Sequence, residues 1–242
     1  MTFPFAKERL RILHARNASD VLACQKLRHR CFRGAEGVDS DIFDDRCQHL
    51  MITDSADALV ATARYQIFAS GRETHLSYAA QSYDLAGLSC VDAPMLELGR
   101  FCVAPHVVDV DVLRMAWAAL TRIVDAEGIR YLFGCASFQG IDPAPYGMVF
   151  RHLARDHQGP DDLRPKSRGA QMIPLAEVDD TGAEPMPRLL RSYLTMGGWV
   201  GAEATIDHDM QTMHVFTCLD VHSVPPSRAR ALRALAEGIA LA

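Results

Sequence analysis

Apolar positions at the start of the chain recur first at every second residue and then at every third or fourth. Leu10 and Ile12 alternate with basic residues across 9–16, as in a half-buried strand. From Val21 through Leu22, Leu27 and Cys31 the spacing turns helical, with Ser19 as the expected N-terminal cap. Gly34 to Gly37 ends that helix, and an acidic loop follows with Asp39, Asp41, Asp44 and Asp45. Two strand-like runs, His49 to Thr53 and Leu59 to Phe68, flank the turn-prone Asp54-Ser-Ala-Asp57 and predict an antiparallel hairpin. A further strand is expected at Thr74 to Ser77, inside a stretch whose Gly, Ala and Ser content up to Asp92 blurs any period.

The most informative pattern is Glu97-Leu-Gly-Arg100-Phe-Cys-Val-Ala-Pro105, followed further on by Leu132-Phe-Gly-Cys-Ala-Ser137-Phe. Both read as buried parallel strands, the first with Glu97 and Arg100 set among apolar neighbours and ending at a proline that cannot continue a central strand. Between them Val108, Val112, Met115, Ala116, Ala119, Leu120 and Ile123 fall on one helical face, with Gly128 just beyond. Strand, helix, strand at this spacing is a parallel crossover. A short helix is expected at Pro143 to Ala154, and a polar, partly basic loop over 156–170. Pro187 opens a helix through Leu189, Leu190, Tyr193 and Leu194 that Gly197-Gly198 ends, and Thr212 to Leu219 returns to strand. The predicted organisation is one domain over 1–222 and a helical tail over 223–242 that carries Arg228, Arg230 and Arg233.

Composition narrows the function classes. An apolar share of 49% in 242 residues suffices for a large core. A formal charge of -5 argues against a sequence-independent grip on nucleic acid. Cys24, Cys31, Cys47, Cys90, Cys102, Cys135 and Cys218 include no CxxC pair and are odd in number, which points to a reducing cytosol. Arg9, Arg11 and Arg16 interrupt the start, so no secretory leader is expected, and no apolar run reaches the length of a bilayer span. A soluble protein, or one resting on a membrane surface, is expected. His152 and His157 are five apart, Asp207-His-Asp209 lacks a partner motif, and no metal site is expected.

The predicted order of strand, helix, hairpin, long strand, helix and parallel strand resembles the GNAT acyltransferase fold. It has a mixed central β-sheet flanked by helices, α+β or α/β in class, with parallel strands that splay at the acyl-donor site. The segments 41–50, 97–105, 132–138 and 190–198 resemble the bacterial L-ornithine N-alpha-acyltransferases of ornithine-lipid synthesis, and the likeness covers about residues 10 to 222. It implies transfer of a 3-hydroxyacyl chain from acyl carrier protein to the alpha-amine of ornithine, giving lyso-ornithine lipid, with no tightly bound cofactor and with the acyl-phosphopantetheine of the carrier as donor. A more distant resemblance links Arg28, Phe32, Asp41, Asp44, Arg64, Glu97 and Arg100 to acyl-homoserine lactone synthases. Those normally carry a tryptophan between the first helix and the acidic loop, whereas this chain has only Trp117 and Trp199. That favours the ornithine reading over a lactone synthase; a non-catalytic module of this fold that binds carrier protein or lipid is the alternative from another class.

What the resemblance implies can be assigned residue by residue. Glu97 serves as base, Arg100 holds Glu97 or a substrate carboxylate, and Ser137 protonates the leaving thiolate. Arg28, Phe32, Asp41, Asp44 and Arg64 bind the amino acid, an acid for its side-chain ammonium and a cation for its carboxylate. Backbone N–H groups at Phe101, Cys102 and Val103 meet the oxyanion, an effect worth about 3 kcal/mol per donor. The segment His106-Val-Val-Asp109 departs from the family pattern and the Gly-rich CoA loop of the wider superfamily is missing, yet a helix start there can still hold one phosphate of the donor arm. Lys26, Arg30 and Arg33 on the first helix form a docking face for the acidic carrier protein or for anionic lipid, which puts the protein in the cytoplasm at the inner membrane surface. Plain structural readings stand beside these: Glu97 and Arg100 as an ion pair, Ser137 as packing, Cys102 and Cys135 as core thiols, and the basic helix face as solvated surface.

Overall fold

The computed structural model describes residues 10–107, 110–168, 171–179 and 181–238. In chain order the elements are β1 (Arg11–His14), α1 (Ala18–Arg33), β2 (Gln48–Thr53), β3 (Leu59–Phe68), β4 (Tyr83–Asp84), α2 (Ala86–Ser89), β5 (Met95–Val103) and α3 (Val110–Glu127). They continue with β6 (Tyr131–Gln139), α4 (Gly147–Asp156), β7 (Lys166–Ser167), β8 (Met172–Pro174), α5 (Arg188–Thr195), β9 (Trp199–Asp207), β10 (Thr212–Asp220) and α6 (Pro226–Glu237). The result is a mixed sheet flanked by helices. The described residues gather into two units, one drawn from 10–66, 98–128 and 226–238, the other from 67–97 and 129–225.

In the first unit β2 pairs antiparallel with β3, the hairpin expected from the sequence, and on its other edge with β1. The connecting turn is set by Asp54, whose side chain accepts the N–H groups of Ala56 and Ala58 at 2.9 and 3.0 Å. Helix α1 begins about two residues earlier than expected, because Asn17 and not Ser19 supplies the cap, accepting from the Asp20 N–H at 3.0 Å. Gly34 closes it at φ 66, a left-handed conformation that glycine adopts without a Cβ clash. The spacing of α1 brings Cys24, Leu27 and Arg28 onto its buried face, so a guanidinium lies in an apolar stripe. β5 lies beside β3, and the Ala104 N–H donates to the Val60 carbonyl at 2.8 Å. Helix α3 buries Val112, Met115, Ala116, Ala119, Leu120 and Ile123, the face read from the sequence, and Gly128 follows at φ 61. Val108 and Asp109, and with them the expected phosphate site, lie outside the described residues. Helix α6 is tied to α3 by Arg233, which donates to both Asp125 oxygens at 2.9 and 2.8 Å.

In the second unit β10 is central, antiparallel to β6 on one side and to β9 on the other, with β8 beyond. One apolar cluster packs Phe138, Tyr146, Phe150, Leu190 and Met213, and another packs Phe68, Tyr83, Met95, Phe133 and Phe216. The expected strand at Thr74 to Ser77 is instead the end of a 3-10 helix over Gly71–Leu76. The Thr74 hydroxyl donates to the Gly71 carbonyl at 2.7 Å, and a Cβ on Gly71 would meet the Leu88 carbonyl oxygen at 1.9 Å, so a packed turn replaces a ladder. The loop over 156–170 contains β7, which pairs with β4. Among the described residues no helix is long and apolar enough to cross a membrane.

Candidate active site

A buried salt-bridge cluster occupies the first unit, and it assembles four of the five residues expected to bind the amino acid. Arg28 is fully buried on α1. It donates to both Asp44 oxygens at 2.8 Å, and its Nε lies 2.9 Å from an Asp39 carboxylate oxygen. From β3, Arg64 donates to Asp41 at 2.6 and 2.8 Å and to Asp44 at 2.8 Å. From β5, Arg100 donates to Asp41 at 3.2 Å and lies 3.3 Å from Asp39. Gln25 donates to Asp44 at 2.9 Å, and His49 Nε2 donates to the Asp44 carbonyl at 3.2 Å. Three guanidiniums thus meet three carboxylates drawn from one helix, two strands and the acidic loop. Such a network fixes geometry because removing any member strands a buried charge.

The fifth expected residue, Phe32, is half-buried, and its ring centre lies 5.9 Å from the Arg100 guanidinium carbon. The network has an inner and an outer edge. The side chains of Arg28, Arg64 and Asp44 are 1%, 3% and 4% exposed, against 15% for Arg100 and 23% for Asp41. Burial pushes the Asp44 carboxyl up, but hydrogen bonds and charge from Arg28 and Arg64 outweigh it and hold the group well below the usual range. Asp41 is shifted the same way, burial opposing and Arg64 prevailing. Asp39, Gln25 and His49 complete the cluster and were not singled out from the sequence. Asp39 shares the acidic loop, which was its one visible signal, whereas Gln25 and His49 carry no pattern of their own.

Arg100 has φ 52 in the middle of β5. A left-handed conformation at a residue with a Cβ costs about 1–2 kcal/mol, and it breaks the two-residue alternation of the strand locally. Phe101 and Val103 on the same strand are half-buried and Cys102 is buried. Lys26, Arg30 and Arg33 are exposed on α1, with Arg30 lying 3.9 Å from Glu36.

In the second unit, Glu97 is 5% exposed. Its carboxylate accepts the backbone N–H groups of Tyr78 and Ala79 at 2.8 and 2.7 Å. Those two bonds join β5 to the start of a 3-10 turn over Ala79–Gln81. Ser137 is exposed near the end of β6, directly opposite His214 of β10. His214 is buried, and the Tyr83 hydroxyl donates to its carbonyl at 2.7 Å.

Comparison with known proteins gives the class of chemistry. A family model described as an acetyltransferase (GNAT) domain matches residues 24–118. The structure of FeeM, an N-acyl amino acid synthase from uncultured soil microbes, superposes with a TM-score of 0.53 over 96% of this chain and 99% of that one. At 11% identity it speaks for the fold alone. The chain is a GNAT-fold acyltransferase. An L-ornithine N(alpha)-acyltransferase of Rhodobacter capsulatus is 33% identical over 231 residues, covering 87% of this chain and 89% of the relative. One of Brucella abortus is 28% identical, covering 89% and 85%. The chain belongs to the L-ornithine N(alpha)-acyltransferase family.

Proposed function

We propose that the chain acylates the alpha-amine of L-ornithine with a 3-hydroxyacyl group carried on acyl carrier protein, giving lyso-ornithine lipid at the cytoplasmic face of the inner membrane. The observation that carries this reading is the kinship, over most of the chain, with relatives named for that substrate. The buried cluster supports it, since its outer edge presents one carboxylate, Asp41, and one guanidinium, Arg100, to a substrate with an ammonium side chain and a carboxylate. Asp44 is enclosed by Arg28, Arg64 and Gln25, so its part is to hold those cations in place. Phe32 packs against the Arg100 guanidinium and fixes its plane.

Glu97 takes a proton from the alpha-ammonium, directly or through water, and the freed amine attacks the thioester carbonyl. N–H groups of Phe101, Cys102 and Val103 receive the oxyanion, the attacking nitrogen gives up its second proton as the carbon–sulfur bond breaks, and the Ser137 hydroxyl relays that proton to the thiolate. Lys26, Arg30 and Arg33 dock the acidic carrier. Purified protein supplied with a 3-hydroxyacyl carrier protein and ornithine is expected to form alpha-N-acylornithine. Glu97→Gln is expected to lower kcat by about 10²–10⁴ while leaving ornithine binding within about twofold. A mutant as active as the parent removes Glu97 from the mechanism, and product made only from acyl-CoA removes the carrier protein.

A further inference from the structure

Seven free cysteines are present, and two of them, from different elements of the first unit, pack in one small apolar cluster. Cys31 on α1 is half-buried and packs against a small apolar cluster of Leu27, Cys102 and Ala104. Its thiol donates to the Val103 carbonyl at 3.3 Å, which seats the sulfur against the strand position next to Cys102. We infer that Cys31 and Cys102 are a dithiol that a peroxide oxidises to a disulfide, joining α1 to β5.

The chemistry assigns unequal parts to the two sulfurs. Interaction with the Cys102 thiol, aided by the Arg30 charge and opposed by burial, holds Cys31 below the ordinary thiol range, while Cys31 and burial push Cys102 up. Cys31 is therefore the attacking thiolate. Its sulfur takes one peroxide oxygen to give a sulfenic acid, with the other oxygen leaving as alkoxide or hydroxide. The Cys102 thiol then attacks the sulfenic sulfur, a sulfur–sulfur bond forms, and water leaves. Deep cysteines such as Cys24 and Cys218, both 0% exposed, lack that access. In a reducing compartment a disulfide of this kind is transient and regulatory. Its consequence is local: Arg28 and Phe32 flank Cys31 on α1, and Arg100 precedes Cys102 on β5, so the link grips both elements that position the buried charge cluster.

Treating the full chain with hydrogen peroxide, alkylating the remaining thiols and mapping peptides by mass spectrometry tests this directly. The expected product is a Cys31–Cys102 linked peptide that dithiothreitol reverses. Cys102→Ser should stop at a sulfenic acid on Cys31 that dimedone captures. Turnover should fall about tenfold or more on oxidation and return on reduction, whereas Cys31→Ser should keep its activity in peroxide. Oxidation of exposed Cys90 with Cys31 and Cys102 still reduced, or a linked product with unchanged turnover, would overturn the inference.

Discussion

Arg100 carries two functions that a single substitution can separate. Its guanidinium reaches Asp39 and Asp41, while its backbone holds φ 52 inside a strand. Arg100→Ala and Arg100→Gly both remove the ion pairs and should abolish turnover alike. The glycine variant should nonetheless be more stable than the alanine variant by about 1 kcal/mol, because only glycine adopts the left-handed conformation without a Cβ clash. Chemical denaturation of the two proteins measures that difference, and equal midpoints would show the strand relaxing around alanine. Glu97 was visible in the sequence as a carboxylate among apolar residues, but its two backbone donors were not. They come from Tyr78 and Ala79, in a stretch without readable period, so the reading that paired Glu97 with Arg100 had no means of finding them.

The elements best read from sequence are those whose apolar residues recur at a regular spacing. The apolar face of α3 is buried as its spacing indicates, with Trp117 and Ala118 buried beside it, and β2 is a strand although its burial does not alternate. β9 escaped notice because Gly201-Ala-Glu-Ala has weak strand preference, and its extended form is stabilised by antiparallel pairing with β10. The 3-10 helix over Gly71–Leu76 is likewise set by tertiary contact at Gly71. Helix α1 shows both outcomes. Its apolar spacing gave the element, and the same spacing places Arg28 in the buried stripe, where only the acidic loop supplies partners. Its opposite face carries exposed Lys26, Arg30 and Arg33. Reversing the charge at Arg30 and Arg33 should raise KM for carrier protein severalfold, with kcat and KM for ornithine unchanged; an unaltered KM for the carrier would move docking elsewhere.

At the scale of the molecule, the buried charges of the first unit set its response to acid. Burial holds His49 and His14 below the ordinary histidine range, in the case of His14 with help from Arg16. Asp41 and Asp44 are held low by their arginines against the opposing effect of burial. Groups with folded-state values below their unfolded ones contribute stability that is complete above the unfolded value and declines as pH falls towards the folded one. Stability should therefore start to decline below about pH 6.5, as the unfolded histidines take up protons, and fall further below about pH 4, where the unfolded aspartates do. Thermal denaturation across pH 3 to 8 measures this, and a flat profile would mean that the buried cluster is hydrated.

The assignment of substrate and product is tested most directly in a bacterium that makes no ornithine lipids. When this chain is expressed there, mass spectrometry of the extracted lipids should reveal a new species, a 3-hydroxyacyl chain in amide linkage to the alpha-nitrogen of ornithine, absent when Glu97→Gln is expressed instead. An unchanged lipid profile, acylation of a different amino acid, or an acyl-homoserine lactone in the medium would contradict it.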